Sequence, residues 1–365
     1  MATVSPAVSL EYPVKHPENT PSENLEMPPF DPAIHLAFQE PSARHSFTEL
    51  GLPRPKTAPD MCFTEPFQLF SEEGVRMLRR DLLRKEVLDK HMQAWVRAPC
   101  SISQHEDVAT WINKAWNHPA TVDCVSRAFG LPLKLLGRKG ETGYCNVQLG
   151  PEGLAGVYKL GEVPSGPLEA SAAPESQFDK IMTDAWHRDS TQISCVVMLS
   201  DTSTMDGGET AIRVGDGSVL KARGAKMGGA VLIQGAHLTH AALRATNAPE
   251  RISMVTSFAF ADTRLDDSGT SLRSINLSHP DAVGCQNHFL LHKLRRLQEN
   301  IKNAIEKVEA ANAAQESPER DEVEPWVEEQ MTLLKQTSWE LFERYPDHLY
   351  KDIPENAVRD YLSHI

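Results

Sequence analysis

What this chain of 365 residues lacks already narrows the field. Its six cysteines (Cys62, Cys100, Cys124, Cys145, Cys195, Cys285) are scattered, with no Cys-x-x-Cys pair among them. Neither a zinc site nor a disulfide framework is signalled, and reduced thiols fit best. No run approaches the ~20 apolar residues that a membrane span requires, and the N-terminus has no apolar core of a signal peptide. Positive charge is in deficit, with 37 Lys and Arg against 50 Asp and Glu and a net charge of −13. A nucleic-acid backbone needs clustered cations, so it is not an expected partner. The glycine pairs Gly207-Gly208 and Gly228-Gly229 lack the Gly-Lys-Ser/Thr ending and the following helix of a phosphate loop. The expected setting is the cytoplasm, without membrane or nucleic acid.

What is there is the composition of a globular protein, 40% hydrophobic and 24% charged, long enough to bury a sizeable core. Residues 1–60, rich in Pro and polar side chains without sustained periodicity, read as an extended Pro-rich arm. Residues 61–136 form a helical region expected to pack on the outside of a sheet. There Val75, Leu78, Leu82, Leu83 and Val87 fall at helical spacing in one amphipathic helix running to about Trp95. A second stripe holds Val108, Trp111, Ile112 and Ala115, and a third, around Val122, Val125 and Phe129, ends at Gly130. Trp111 and Trp116 are expected in the core.

Residues 137–265 change period. Tyr144 to Leu149 and Ile193 to Leu199 read as strands. The stretches Asp206 to Arg213 and Met227 to Ile233 each make a glycine turn into a short strand. Short strands broken by glycine turns predict an antiparallel sandwich or barrel. Gly161 to Gln177, rich in Gly, Pro, Ser and Ala, reads as a loop that is either a lid or a disordered excursion.

In Trp186-His187-Arg188-Asp189, strand alternation sends His187 and Asp189 to one side and Arg188 to the other. A third nitrogen from a later strand would complete two histidines and one carboxylate on one face of an octahedral ion, the arrangement expected of non-haem Fe(II) with open positions. His237 and His240 lie three apart and so face opposite ways on a strand, which admits only one of them. His237 sits close to the Gly235 turn, while His240 stands inside the strand. Arg251 and Ser253 share a face, and a guanidinium fork beside a hydroxyl suits a carboxylate.

Over roughly Gly143 to Asp262 the sequence resembles the Fe(II)- and 2-oxoglutarate-dependent oxygenases, whose His-x-Asp, distal His and Arg-x-Ser motifs stand here as His187-Arg188-Asp189, His240 and Arg251-Ile252-Ser253, in that order. The family's spacing favours His240 over His237. The resemblance implies an α+β protein, a double-stranded β-helix (jelly roll) core with flanking N-terminal helices and a C-terminal helical extension. It implies Fe(II) on His187, Asp189 and His240, with 2-oxoglutarate chelating it through the keto acid and its far carboxylate held by Arg251 and Ser253. Asn146 is a further candidate for the cosubstrate pocket. With O₂ such a site decarboxylates 2-oxoglutarate to succinate and oxidises a small organic substrate, such as an amino acid or secondary metabolite, by hydroxylation, desaturation or cyclisation. The alternatives are an iron oxidase of the same fold that grips the substrate's own carboxylate, and a non-catalytic jelly-roll binding or assembly protein.

Residues 266–365 are helical in pattern. Leu290, Leu294, Leu297, Ile301, Ala304 and Val308 recur at spacings of three and four, as do Val327, Met331, Leu334, Ser338, Leu341 and Tyr345. Two long helices with narrow seams are predicted, joined by the acidic stretch Glu316 to Glu324. They are expected to pack on each other and on the sheet, or to join two chains as a homodimer. Pro354 marks the start of one more short helix.

Overall fold

The structure, a computed structural model, describes residues 27–55, 58–94, 98–166, 182–222, 226–265, 269–272 and 282–344. Eight strands make its centre: β1 (Tyr144–Val147), β2 (Asp184–His187), β3 (Ile193–Met198), β4 (Thr210–Arg213), β5 (Val219–Ala222), β6 (Gly229–Ile233), β7 (His240–Ala242) and β8 (Ile252–Phe260). The larger sheet runs β1-β8-β3-β6 and the smaller β2-β7-β4-β5, with every pairing antiparallel. Strands that are successive in sequence mostly alternate between the two sheets. This is the double-stranded β-helix, a jelly roll in α+β setting, as expected.

Period two decides which face meets what. On the outer face of the larger sheet, Cys145 and Val147 of β1, Cys195 and Val197 of β3, and Ile252, Met254 and Phe258 of β8 enter the main apolar core. The intervening Tyr144, Asn146, Ser194, Val196, Ser253, Val255 and Ser257 line a cavity between the sheets. Outside the sheet lie helices α1 (Glu72–Leu82), α2 (Lys85–His91), α3 (Thr110–Asn117) and α4 (Pro119–Phe129). Gly130 closes α4 at φ 93°, a left-handed cap that favours glycine. Trp111 and Trp116 are in the core, 3% and 0% exposed. Trp116 stands edge-on to Phe70 and Phe258, so its truncation to Ala should cost about 3–5 kcal/mol.

Three expectations change. The single helix running to about Trp95 is two, because Arg84 turns extended (φ −60°, ψ 139°) and its guanidinium binds Asp81 Oδ1 and the Val108 carbonyl. Asp81 Oδ2 in turn accepts the first N–H groups of α3, from Trp111 and Ile112, and so serves as a cap supplied from another helix. The extended Pro-rich arm expected over 1–60 is built into the fold where it is described. Arg44–Ser46 adds a strand to the larger sheet, Phe47 is fully buried, and the Pro28 carbonyl accepts Trp111 Nε1. Isolated Pro and polar residues masked those few anchoring contacts.

The third concerns the long C-terminal helices, α5 (Ala282–Ala313) and α6 (Arg320–Trp339), which do form. They meet through polar groups, Asn300 Nδ2 to Gln330 Oε1 at 2.8 Å and Lys307 to Glu322 at 2.7 Å. The apolar seams stay open, with Leu294 46%, Ile301 41% and Met331 50% exposed. The heptads mark a face but not what covers it. At the root, Phe289 and Cys285 pack with Leu272 and Leu341. No helix among the described residues is long and apolar enough to cross a membrane. Most of the loop Gly161 to Gln177 and the helix expected at Pro354 lie outside the described residues.

Candidate metal centre

His187 ends β2, Asp189 follows it, and His240 opens β7 directly opposite His187. One ligand atom from each of the three lies within 4.8 Å of the others. His187 Nε2 is 3.2 Å and His240 Nε2 3.6 Å from Asp189 Oδ1, and the two rings are 4.3 Å apart, centroid to centroid. Each imidazole is oriented by its own backbone. His187 Nδ1 donates to the Ala185 carbonyl at 2.5 Å and His240 Nδ1 to the Leu238 carbonyl at 2.9 Å. With Nδ1 protonated, each Nε2 keeps its lone pair for a metal.

Asp189 is fixed from two sides. Ser194 Oγ donates to its Oδ2 at 2.5 Å, and its N–H donates to the Gly235 carbonyl at 2.9 Å. A Cβ on Gly235 would fall 2.0 Å from Asp189 Oδ2, so only glycine leaves this carboxylate its place. Burial opposes the charge of Asp189, but His240, His187 and Ser194 hold its carboxyl well below the usual range. Burial, with repulsion from His187, pushes His240 down to about 4, so it is neutral and able to ligate near pH 7. His237 lies in the turn before β7, its ring 6.3 Å from that of Phe47 and away from the cluster. The contrast of two faces on one strand therefore does not apply, since β7 begins only at His240.

On the facing sheet, Arg251 lies immediately before β8 and Ser253 within it. Arg251, 1% exposed, gives Nε and Nη2 to the Gly208 carbonyl at 3.1 Å and Nη1 to Ser253 Oγ at 3.1 Å. Burial pushes it down to about 10 against the attraction of Asp184 and Glu209. It remains a cation at neutral pH. Asn146 stands opposite Ser253 in register, and its Nδ2 donates to Asp184 Oδ2 at 3.1 Å. All six candidate residues thus border one cavity.

The sequence reading missed Ser194, Gly235 and Asp184. Gly235 had a signal, a glycine just before the distal histidine. Asp184 had none, because strict alternation sets it opposite His187. The irregular register between β2 and β7 brings it to the same cavity, 3.7 Å from His187 Nδ1.

The fold and site define a jelly-roll protein with a two-histidine, one-carboxylate cluster in its mouth. No protein-family model matches this chain, and neither does any curated protein sequence. Among solved structures it is similar to SnoN from nogalamycin biosynthesis, described as a non-heme alpha ketoglutarate dependent epimerase, at 13% identity over 52% of this chain and 73% of that one, TM-score 0.34. It is similar to the non-heme monooxygenase ThoJ at 12% identity over 65% and 95% of the two chains, TM-score 0.35. A Pseudomonas putida prolyl-4-hydroxylase shares 16% identity over 53% and 85%, TM-score 0.28. Likeness at this level says nothing of activity, which has to come from this chain's own residues.

Proposed function

We propose that this chain is a non-haem Fe(II)- and 2-oxoglutarate-dependent oxygenase acting on a small organic substrate, such as an amino acid or secondary metabolite. One observation carries the reading: the His187, Asp189 and His240 cluster shares a cavity with a buried arginine and its serine neighbour. The donor set fits Fe(II), with two imidazole Nε2 atoms left bare by their Nδ1 bonds and one ionised carboxylate. His187, Asp189 and His240 would hold the ion. Iron, when bound with 2-oxoglutarate and O₂, supplies the oxidising chemistry that turns the keto acid to succinate and CO₂.

The remaining work falls to the chain. Arg251, buried and still charged, binds the far carboxylate of 2-oxoglutarate, and Ser253 adds a hydroxyl donor beside it. Asn146 orients the same molecule from the neighbouring strand. Val196 and Val255 give the cavity an apolar wall that limits water. Hydroxylation, desaturation and cyclisation would all use these residues, and the acidic chain suits a small metabolite better than a nucleic acid.

A second reading has its own support. Asp184 borders the same cavity and attracts Arg251, so an anion is already near that cation. An iron oxidase without 2-oxoglutarate, using Arg251 to grip the substrate, fits that pairing. Anaerobic titration with Fe(II) and 2-oxoglutarate separates the two: a weak visible charge-transfer band marks the keto-acid chelate. Iron uptake without the band favours the oxidase, and no iron uptake favours a non-catalytic binding protein.

A further inference from the structure

We propose that the open face of the C-terminal helix hairpin is an interface at which a second copy of this chain docks about a twofold axis, closing a four-helix bundle. The hairpin is built inside out. Its own contact line is polar, Asn300 with Gln330 and Lys307 with Glu322, yet each of these residues is followed by an apolar one: Ile301, Met331, Val308 and Val323. One residue turns roughly 100° around a helix. Because the two helices run antiparallel, turning both in the same sense of sequence brings the apolar residues to one side of the hairpin. There they stay 41% to 56% exposed. Leu294 and Val327, 46% and 41% exposed, extend the same stripes. A stripe of this kind normally faces a core, and left open it marks an association surface.

Size and charge identify the occupant. The 20 residues of α6 run roughly 30 Å, and two helices side by side span roughly 20 Å. That footprint, roughly 600 Å², approaches the ~800 Å² per partner of a stable complex. Of the five cations of α5 between 290 and 308, Lys293 and Arg296 are buried and Lys307 is paired with Glu322, which leaves Arg295 and Lys302 exposed, while α6 carries two Lys or Arg and five Asp or Glu. A twofold axis that lays α5 of one protomer over α6 of its partner brings Arg295 and Lys302 over the acidic helix twice. The face is therefore complementary to itself, as an isologous contact must be, and the dimer closes. This inference is independent of the chemistry proposed above.

Sedimentation equilibrium of the full chain tests it. Wild type should show twice the 40.5 kDa chain mass at micromolar concentration. The pair Leu294→Glu and Met331→Glu places charge on half-exposed positions, so it should yield single-chain mass with an unchanged far-UV spectrum and unfolding midpoint. If that variant is poorly folded, Arg295→Glu with Lys302→Glu alters surface charge alone, and it should weaken dimerisation at least tenfold. Wild type of single-chain mass throughout the micromolar range would overturn the proposal, as would a dimer that both variants leave intact.

Discussion

Arg79 Nη1 lies 2.5 Å from Glu250 Oε1, with both side chains out of solvent, and Glu250 is the residue before Arg251. Arg79 also donates to the Leu199 carbonyl, so one guanidinium from α1 ties the end of β3 to the start of β8. The pair sets the point from which Arg251 enters the cavity. Glu250→Gln would leave a buried cation without its counter-ion, at a cost of about 3–5 kcal/mol. Urea unfolding should show that loss, and apparent affinity for 2-oxoglutarate should fall further than affinity for Fe(II). A variant as stable as wild type would show that the Glu250 charge is not needed to balance Arg79.

Asp189→Ala removes the proposed anionic ligand, and His187→Ala or His240→Ala removes a proposed nitrogen ligand. Each should lose Fe(II) binding and turnover while the circular dichroism of the fold survives, whereas His237→Ala should be mild. Iron retained by His240→Ala and lost by His237→Ala would reverse the ligand assignment.

Gly235→Ala tests the same centre without touching a ligand. Its Cβ would fall 2.0 Å from Asp189 Oδ2, so the carboxylate must move. Iron affinity should drop at least tenfold, read by titration against a competing chelator. Unaltered affinity would mean the carboxylate has room to shift and still ligate.

If Arg251 holds the distal carboxylate of 2-oxoglutarate as proposed, Arg251→Ala deprives that carboxylate of a charged fork, and Arg251→Lys keeps the charge but not the bidentate geometry. The 2-oxoglutarate concentration needed for half-maximal turnover should rise in both, more in Ala. Ser253→Ala loses one neutral donor, worth about 0.5–1.5 kcal/mol, and should change least. Full turnover without 2-oxoglutarate, with Arg251→Lys raising the requirement for organic substrate, would move both residues into the substrate pocket.

His105 is fully buried, its Nε2 bonded to the Gly143 carbonyl at 2.9 Å. Burial pushes its folded-state value down to about 4 from the ordinary 6.5. Between those values the unfolded chain binds the extra proton, so this contribution is fully present above pH 6.5 and is lost as pH falls towards 4. The loss is on the order of 3 kcal/mol for a shift of this size. His105→Gln should flatten the slope of unfolding free energy between pH 7 and pH 5, whatever it does to stability at pH 7. An unchanged slope would show that other groups carry the acid sensitivity.

How much of this was legible in the sequence depended on how local each signal is. Strand β1 announces itself through alternation and β3 through a mostly apolar run, and the ordered His187, Asp189, His240, Arg251 and Ser253 need no structure to be noticed. Arg79 and Glu250 leave no trace in the sequence, because ion pairing across 171 positions has no period. Asp184 was hidden by the irregular register that breaks the parity rule. The helical seams were legible as apolar stripes, but of the two contacts they could make, heptad spacing cannot choose; it does not say that Asn300 and Gln330 hold the hairpin while Ile301 faces outward.

The order of strands in the roll also has a temporal meaning. Asn146 meets Ser253, and Tyr144 meets Val255, only when stretches more than a hundred positions apart have come together. His187 and His240 meet across the second sheet in the same closure. Contacts this distant form slowly, so the proposed iron would have no complete set of ligands to meet while the chain is still being synthesised or refolded. Loading should be the final event of maturation. Refolding rates should then be indifferent to added Fe(II), and only the unfolding rate should slow.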